Sequence, residues 1–158
     1  FNPDIVVVGE MRGAEANAAQ EAARTGVAVL TTIHSNSCEA TYRRMVSLCK
    51  RAVDMSDATL MDYVTEAYPI VVFCKQLENK QRRMMEIQEC EILPDGTRHF
   101  RPLFQYVIEE NRMEEGNFII EGYHRQVNTI SESLAKRLLE NGMPQPIIIA
   151  LREGVKTV

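Results

Sequence analysis

The sequence predicts an α/β fold in which parallel strands are continued by an antiparallel meander and followed by a C-terminal helix. Three observations predict it. Ile5 to Val8 is an apolar, β-branched run without polar alternation, the pattern of a strand covered on both faces of a parallel sheet. Ala14 to Arg24 is rich in strong helix formers and leads to a second apolar run, Val27 to Ile33, so the chain opens as a β-α-β unit with parallel strands and a right-handed crossover. From Ile70 onward, apolar runs alternate with short polar turns, as hairpins require.

With 158 residues and 45 % apolar content the chain can bury one sizeable core, and nothing in its length demands a second. One structural unit is expected, in three sections: 1–69, 70–124 and 125–158. The net charge of -4 argues against a nucleic-acid surface, which carries a basic excess on one face. Cys38, Cys49, Cys74 and Cys90 are widely spaced and form no C-x-x-C pair, so they read as free thiols of a reducing compartment and no metal site is expected. No apolar run approaches the roughly 18 residues of a membrane span and no signal peptide opens the chain, which points to the cytoplasm.

The first strand breaks at Gly9 and delivers Glu10, Met11, Arg12 and Gly13. Parallel sheets bind ligands beyond the carboxyl ends of their strands, and Glu10 stands on that edge. The alternative is a solvated acid that starts the next helix and complements its dipole. Asp4 belongs to the other end of the strand, roughly 15 to 20 Å away at about 3.3 Å per residue. Thr25-Gly26 ends the helix as a C-cap signal. If the two strands are parallel, the residue just past the second, His34, shares the sheet edge with Glu10.

Asn36 as N-cap with Glu39 three residues later marks a helix running to about Arg51. Arg43, nearly two turns in, can reach the strand edge, or is a surface arginine. Ser56 or Asp57 caps a further helix with Leu60, Met61, Val64 and Ala67 at helical spacing, stopped by Pro69. Ile70 to Cys74 reads as a third buried strand, Glu78 to Gln81 as a turn, Arg82 to Leu93 as a strand, and Pro94-Asp95-Gly96-Thr97 as a turn in which Gly accepts positive φ. Phe100 to Ile108 is the next strand, Glu109 to Asn117 a solvated acidic loop, and Phe118 to Ile120 a short strand. His99 and His124 have no evident partners and read as structural. Thr129 with Glu132 forms a second capping box for a last helix through Ile130, Leu134 and Leu138, ended by Asn141-Gly142 with Pro144 beyond. The tail from Pro146 is apolar, then charged.

Asn2 to Ala16 (NPDIVVVGEMRGAEA) and Val29 to Arg44 (VLTTIHSNSCEATYRR), joined by a helix of matching length, resemble the Walker B and His boxes of the type II/IV secretion ATPases. These are hexameric RecA-like motors of secretion systems and of type IV and Tad-like pili. The resemblance continues through Tyr68 to Glu89, like the strand, turn and Arg-Arg strand of the pilus-assembly branch, and echoes weakly in Leu134 to Gly142. The chain departs from the family at Val27, where a histidine often follows Thr-Gly, at Arg44, which replaces an apolar residue, and at Lys136, which replaces an acid. No G-x-x-x-x-G-K-[ST] phosphate loop occurs in the sequence; the family's Walker A loop, Asp box and N-terminal domain are expected to precede Phe1.

The resemblance implies the C-terminal part of a RecA-like P-loop core that uses ATP and Mg²⁺ in the complete protein. It implies that Glu10 orients the attacking water, since phosphoryl transfer is mostly positioning and charge stabilisation, and that His34 senses the γ-phosphate. Gly9 stands where many P-loop enzymes keep a magnesium-linked Asp, so magnesium would depend on the Walker A hydroxyl. Arg12 and Arg43 become nucleotide-site or subunit contacts, or surface salt bridges. The implied partners are further copies of the chain, in a hexamer, and inner-membrane secretion or pilus platform proteins. The competing class is a non-catalytic assembly module of RecA-like shape. A third class, a metal-dependent nuclease or hydrolase built on Glu10, His34 and Asp4, is the weakest reading because Asp4 lies at the wrong end of its strand.

Overall fold

The structure, a computed structural model, describes residues 3–154, so Asn2 at the start of the motif and the last four residues of the tail lie outside the described residues. It is a mixed α/β structure that divides into two compact units, 1–69 and 70–158, with the break between Pro69 and Ile70.

The first unit is β1 (Ile5–Val8), α1 (Glu15–Arg24), β2 (Ala28–Thr31), α2 (Cys38–Cys49) and α3 (Asp57–Ala67). β1 and β2 pair in parallel, Ile5 with Ala28 through Val8 with Thr31, as the β-α-β reading requires. Between them α1 ends at Thr25, and Gly26 takes φ +99°, the conformation its position as a helix stop demands. The core of this unit is helical: Ala16 and Ala19 of α1, Tyr42, Met45, Val46 and Leu48 of α2, and Leu60 and Val64 of α3 are buried, with Met11 from the loop after β1. The strands differ from the expectation. Ile5, Val7 and Leu30 are 59 %, 70 % and 62 % exposed, while Val6, Val8 and Val29 are half-buried. One face of the two-stranded sheet is covered and the other is open, because the described residues provide no further strand or helix on that side.

Helix α2 is capped by Ser37, whose hydroxyl accepts from the Ala40 amide at 3.1 Å, and not by Asn36. Ser37 is the residue with extended backbone, φ -165°, which an N-cap needs. Ser56 caps α3, which ends at Ala67 ahead of Pro69.

The second unit is an antiparallel meander of β3 (Ile70–Gln76), β4 (Arg82–Ile92), β5 (Arg98–Glu114) and β6 (Asn117–Gln126), in that order across the sheet, followed by α4 (Glu132–Glu140) and α5 (Gln145–Glu153). The Pro94–Thr97 turn forms as its chemistry dictates, with Gly96 at φ +81° and the Asp95 carboxylate accepting from the Thr97 amide. β3 is not buried on both faces, since Ile70 and Val72 are exposed. The largest departure is the acidic stretch: β5 runs straight through Glu114, turns at Glu115 and Gly116, both with positive φ, and returns as a full-length β6. Two consecutive positive φ values are the mark of the tight hairpin turn whose twist matches the strands. Glu110, Glu114 and Glu121 are held by a single guanidinium, Arg112, at 2.9, 2.6 and 2.7 Å, which makes a strand of a sequence that reads as a loop.

Helix α4 is capped by Ser131, not Thr129, and the unexpected α5 occupies the tail from Gln145. Leu103 of β5 packs with Ile130, Leu134, Ala135 and Ile148 to form the core under these two helices. Pro144, which reads as a stop signal beyond α4, and Pro146 sit at the start of α5, where a missing N–H costs nothing.

Candidate functional site

The site is the carboxyl edge of the β1–β2 sheet. Pairing continues past β1, since the Met11 amide donates to the Thr32 carbonyl at 2.8 Å and the Thr32 hydroxyl donates to the Gly9 carbonyl at 2.6 Å. These bonds, with Met11 buried, fix the chain on either side of Glu10. The next turn is fixed by Glu15, whose carboxylate accepts from the Arg12 and Gly13 amides at 2.6 and 2.8 Å. Those amides hold the Glu15 carboxyl below the usual carboxylate range. Arg51 completes the anchoring by donating to the Arg12 carbonyl at 2.9 Å.

Glu10 therefore leaves a braced loop. Its Oε2 pairs with the Arg12 guanidinium at 2.7 Å and its Oε1 lies 3.2 Å from His34 Nε2. The parallel register brings the two strand-end residues together, as the sequence reading expected. The His34 contact lacks hydrogen-bond alignment, and among the described residues Glu10 Oε1 is a buried oxygen without a hydrogen bond. The hydrogen bond from Arg12 holds the Glu10 carboxyl below its ordinary value, with the charges of Arg12, His34 and Arg44 acting in the same direction. The side chain of Glu10 is 26 % exposed and that of His34 84 %. An ionised carboxylate with one oriented, unsatisfied oxygen thus sits beside an imidazole that is open to solvent.

Beside His34 lies an open cleft lined by Ser35, Asn36, Ala40 and Arg44. Ala40, in the first turn of α2, lies in its lining, at the end of the helix whose dipole favours anions. Arg12 is brought to the site. Arg43 is not: its guanidinium pairs with Glu39 one turn back at 2.9 Å on the exposed face. Arg44, about 100° further round the helix, takes the place beside His34. Its appearance where an apolar residue was expected was the signal for this. The positioning role of Glu15 was legible as an acid following Arg12-Gly13 at a helix start; that of Arg51 was not, because it depends on a contact spanning 39 residues.

The other two histidines are elsewhere and do have partners. His99 Nδ1 lies 3.8 Å from Glu91, and His124 Nε2 is 3.0 Å from the Met84 carbonyl with its ring against Tyr106. Asp4 stands at the start of β1, where its carbonyl accepts from the Ala28 amide. Among the described residues no three His, Cys, Asp or Glu side chains gather as a metal site, and no helix is long and apolar enough to cross a membrane. None of the four cysteines is in a disulfide.

A family model described as type II/IV secretion system protein matches residues 1–141. A search of curated proteins found no match.

Proposed function

The chain belongs to the type II/IV secretion system protein family, and on that premise we propose that it is part of a RecA-like ATPase that powers secretion or pilus assembly. In this reading Glu10 orients the attacking water and His34 contacts the γ-phosphate. The observation that carries it is the juxtaposition of Glu10 with His34 at 3.2 Å, with Glu10 Oε1 left without a hydrogen bond. A buried carboxylate oxygen is costly to leave unsatisfied, and a water held there for in-line attack satisfies it. Because Arg12 holds the Glu10 carboxyl below its ordinary pKa, the carboxylate is a weak base, suited to holding and polarising water rather than removing its proton early. Arg44 and the first turn of α2 offer positive potential to a phosphate beside His34.

The residues present fit the reacting end of a nucleotide. ATP supplies the phosphoryl group, and Mg²⁺ would neutralise its charge. No residue here is assigned to the metal: Gly9 has no side chain to offer, and Asp4 is at the far end of β1. Assembly into a hexamer, attachment to inner-membrane platform proteins and a cytoplasmic location belong to the same proposal.

The test has two parts. The 158-residue chain, which has no phosphate-loop motif, is expected to show no magnesium-dependent ATP turnover. A turnover abolished by Glu10→Gln would show a site complete without that loop. In a longer protein joining this chain to a phosphate loop, Glu10→Gln should keep nucleotide binding and lower turnover at least about 100-fold, on the scale of losing one transition-state contact. His34→Ala should lower turnover with a smaller loss of binding. Unchanged rates in both variants would favour the second reading, a non-catalytic assembly module. That reading rests on the ion pair with Arg12, which occupies half of the Glu10 carboxylate.

A further inference from the structure

We propose that the distal part of the β5–β6 hairpin is a docking strand for an extended partner segment in which apolar and basic side chains alternate. β4 pairs with β5 only up to Gln105, whereas β5 and β6 stay paired out to Glu114 with Asn117. The outer residues are therefore a two-stranded arm. A shift in register between Ile108 and Glu110 marks its base. From there the register sorts the arm into two faces. One carries Ile108, Met113, Phe118 and Ile120; Met113 and Phe118, directly paired, are 62 % and 47 % exposed. The other carries Arg112 with Glu110, Glu114 and Glu121, locked as a three-way ion pair, together with Asn117 and with Ile119 directly opposite Arg112.

A two-stranded ribbon is marginal in water when its apolar face is bare. Arg112 explains how the ribbon is held, and leaves unexplained why it shows Met113 and Phe118 to solvent. β6 is also the last strand of the sheet, so its outer edge is free to pair with another extended segment among the described residues. Strand alternation then defines the partner. Side chains on one face of the added strand extend the row Phe118 and Ile120. Those on the other face meet Glu121, with Asn117 and Ile119 beside it, and reach the Glu110 and Glu114 carboxylates of β5 one strand further on.

The charge determines the remainder. Glu109 to Glu121 holds five carboxylates and one guanidinium, a surplus of four negative charges, and Arg112 serves three of the five. That surplus attracts lysine and arginine and repels nucleic acid and anionic lipid. It also disfavours a second copy of the same arm, since pairing β6 with β6 would bring two acidic surpluses together.

The test uses the whole chain and three capped eight-residue peptides: alternating lysine and valine, alternating glutamate and valine, and alternating lysine and glycine. The lysine–valine peptide should shift the Met113 methyl and Phe118 ring resonances, slow amide exchange across Asn117 to Gly122, and bind more weakly as salt rises. Met113→Ser with Phe118→Ser, two exposed positions, should weaken it at least tenfold, and Glu109→Gln with Glu115→Gln should flatten the salt dependence. The glutamate peptide should not bind. Equal binding of the lysine–glycine peptide, shifts centred on other acidic residues, or an affinity untouched by the Met113 and Phe118 changes would overturn the proposal and leave a solvated hairpin. Protection of Asn117 to Gly122 that appears without peptide, and only as protein concentration rises, would also overturn it by making the occupant a second copy.

Discussion

Glu10 shows how much one neighbour sets a side chain's chemistry. Its depressed pKa comes first from the Arg12 hydrogen bond, so Arg12→Ala should move the Glu10 titration up toward the ordinary 4.5. Carboxyl-carbon NMR across pH 2 to 7, on the order of the normal carboxylate range either side, reads this directly, and an unmoved midpoint would mean that Arg12 only accompanies the carboxylate. The sign follows from linkage: a depressed carboxylate contributes stability above its unfolded value, and that contribution is lost as pH falls through the folded one. The cysteines behave oppositely. Burial pushes Cys49 and Cys90 up to about 11, so they favour the thiol form, and their contribution, present below the ordinary 9.0, is lost as pH rises through about 11. Cys74 alone of the four is exposed. At neutral pH an aromatic disulfide reagent should therefore titrate one thiol in the native protein and all four after denaturation; fast reaction of several native thiols would contradict the burial.

At the scale of elements, one hairpin and one helix start in the second unit show how much distant contacts decide. Gly122 faces Ile108 in the β5–β6 hairpin, and a Cβ there would lie 2.2 Å from the Val107 carbonyl oxygen and 3.0 Å from the Tyr106 ring. Gly122→Ala should therefore cost about 1–3 kcal/mol in urea unfolding, the scale of overpacking, where an unconstrained strand glycine would gain from the change. Ser131 caps α4 through the Leu134 amide, while its amide and hydroxyl donate to Glu89, a carboxylate only 1 % exposed. Ser131→Ala removes the cap and one partner of a buried charge, so a loss of about 2 kcal/mol or more is expected, above the roughly 1 kcal/mol of a cap alone. A loss within the cap's own range would show that Glu89 is satisfied without the hydroxyl. The capping box read at Thr129 misses this, because local spacing cannot reveal that the Ser131 partner is 42 residues away on β4. The acidic stretch was misread for a related reason: composition favours solvent, and only cross-strand pairing shows Arg112 gathering three carboxylates.

On the scale of the molecule, the open face of the first unit has the clearest consequence. Ile5 and Val7 of β1 and Leu30 of β2 share that face, and among the described residues β1 pairs on one side only. Exposed apolar strands with a free edge associate. Light scattering should show mass rising with concentration, and Val7→Lys with Leu30→Lys should suppress it; a monomer at every concentration would mean that this face is tolerated in water.

What the sequence by itself determined is what neighbours along the chain decide. The β-α-β order, the stops at Gly26 and Pro69, the Asp95-Gly96 turn and the strand-end placement of Glu10 and His34 all follow from periodicity and backbone preference within a few residues. Family membership was legible for the same reason, because its motifs are contiguous. Tertiary structure alone decided which faces are covered, that Arg44 and not Arg43 stands beside His34, that Ser131 caps α4, and that the acidic run is a strand. Each depends on groups distant in sequence, and a side chain's solvation, partner and charge state are set by whatever folding brings within a few ångströms of it.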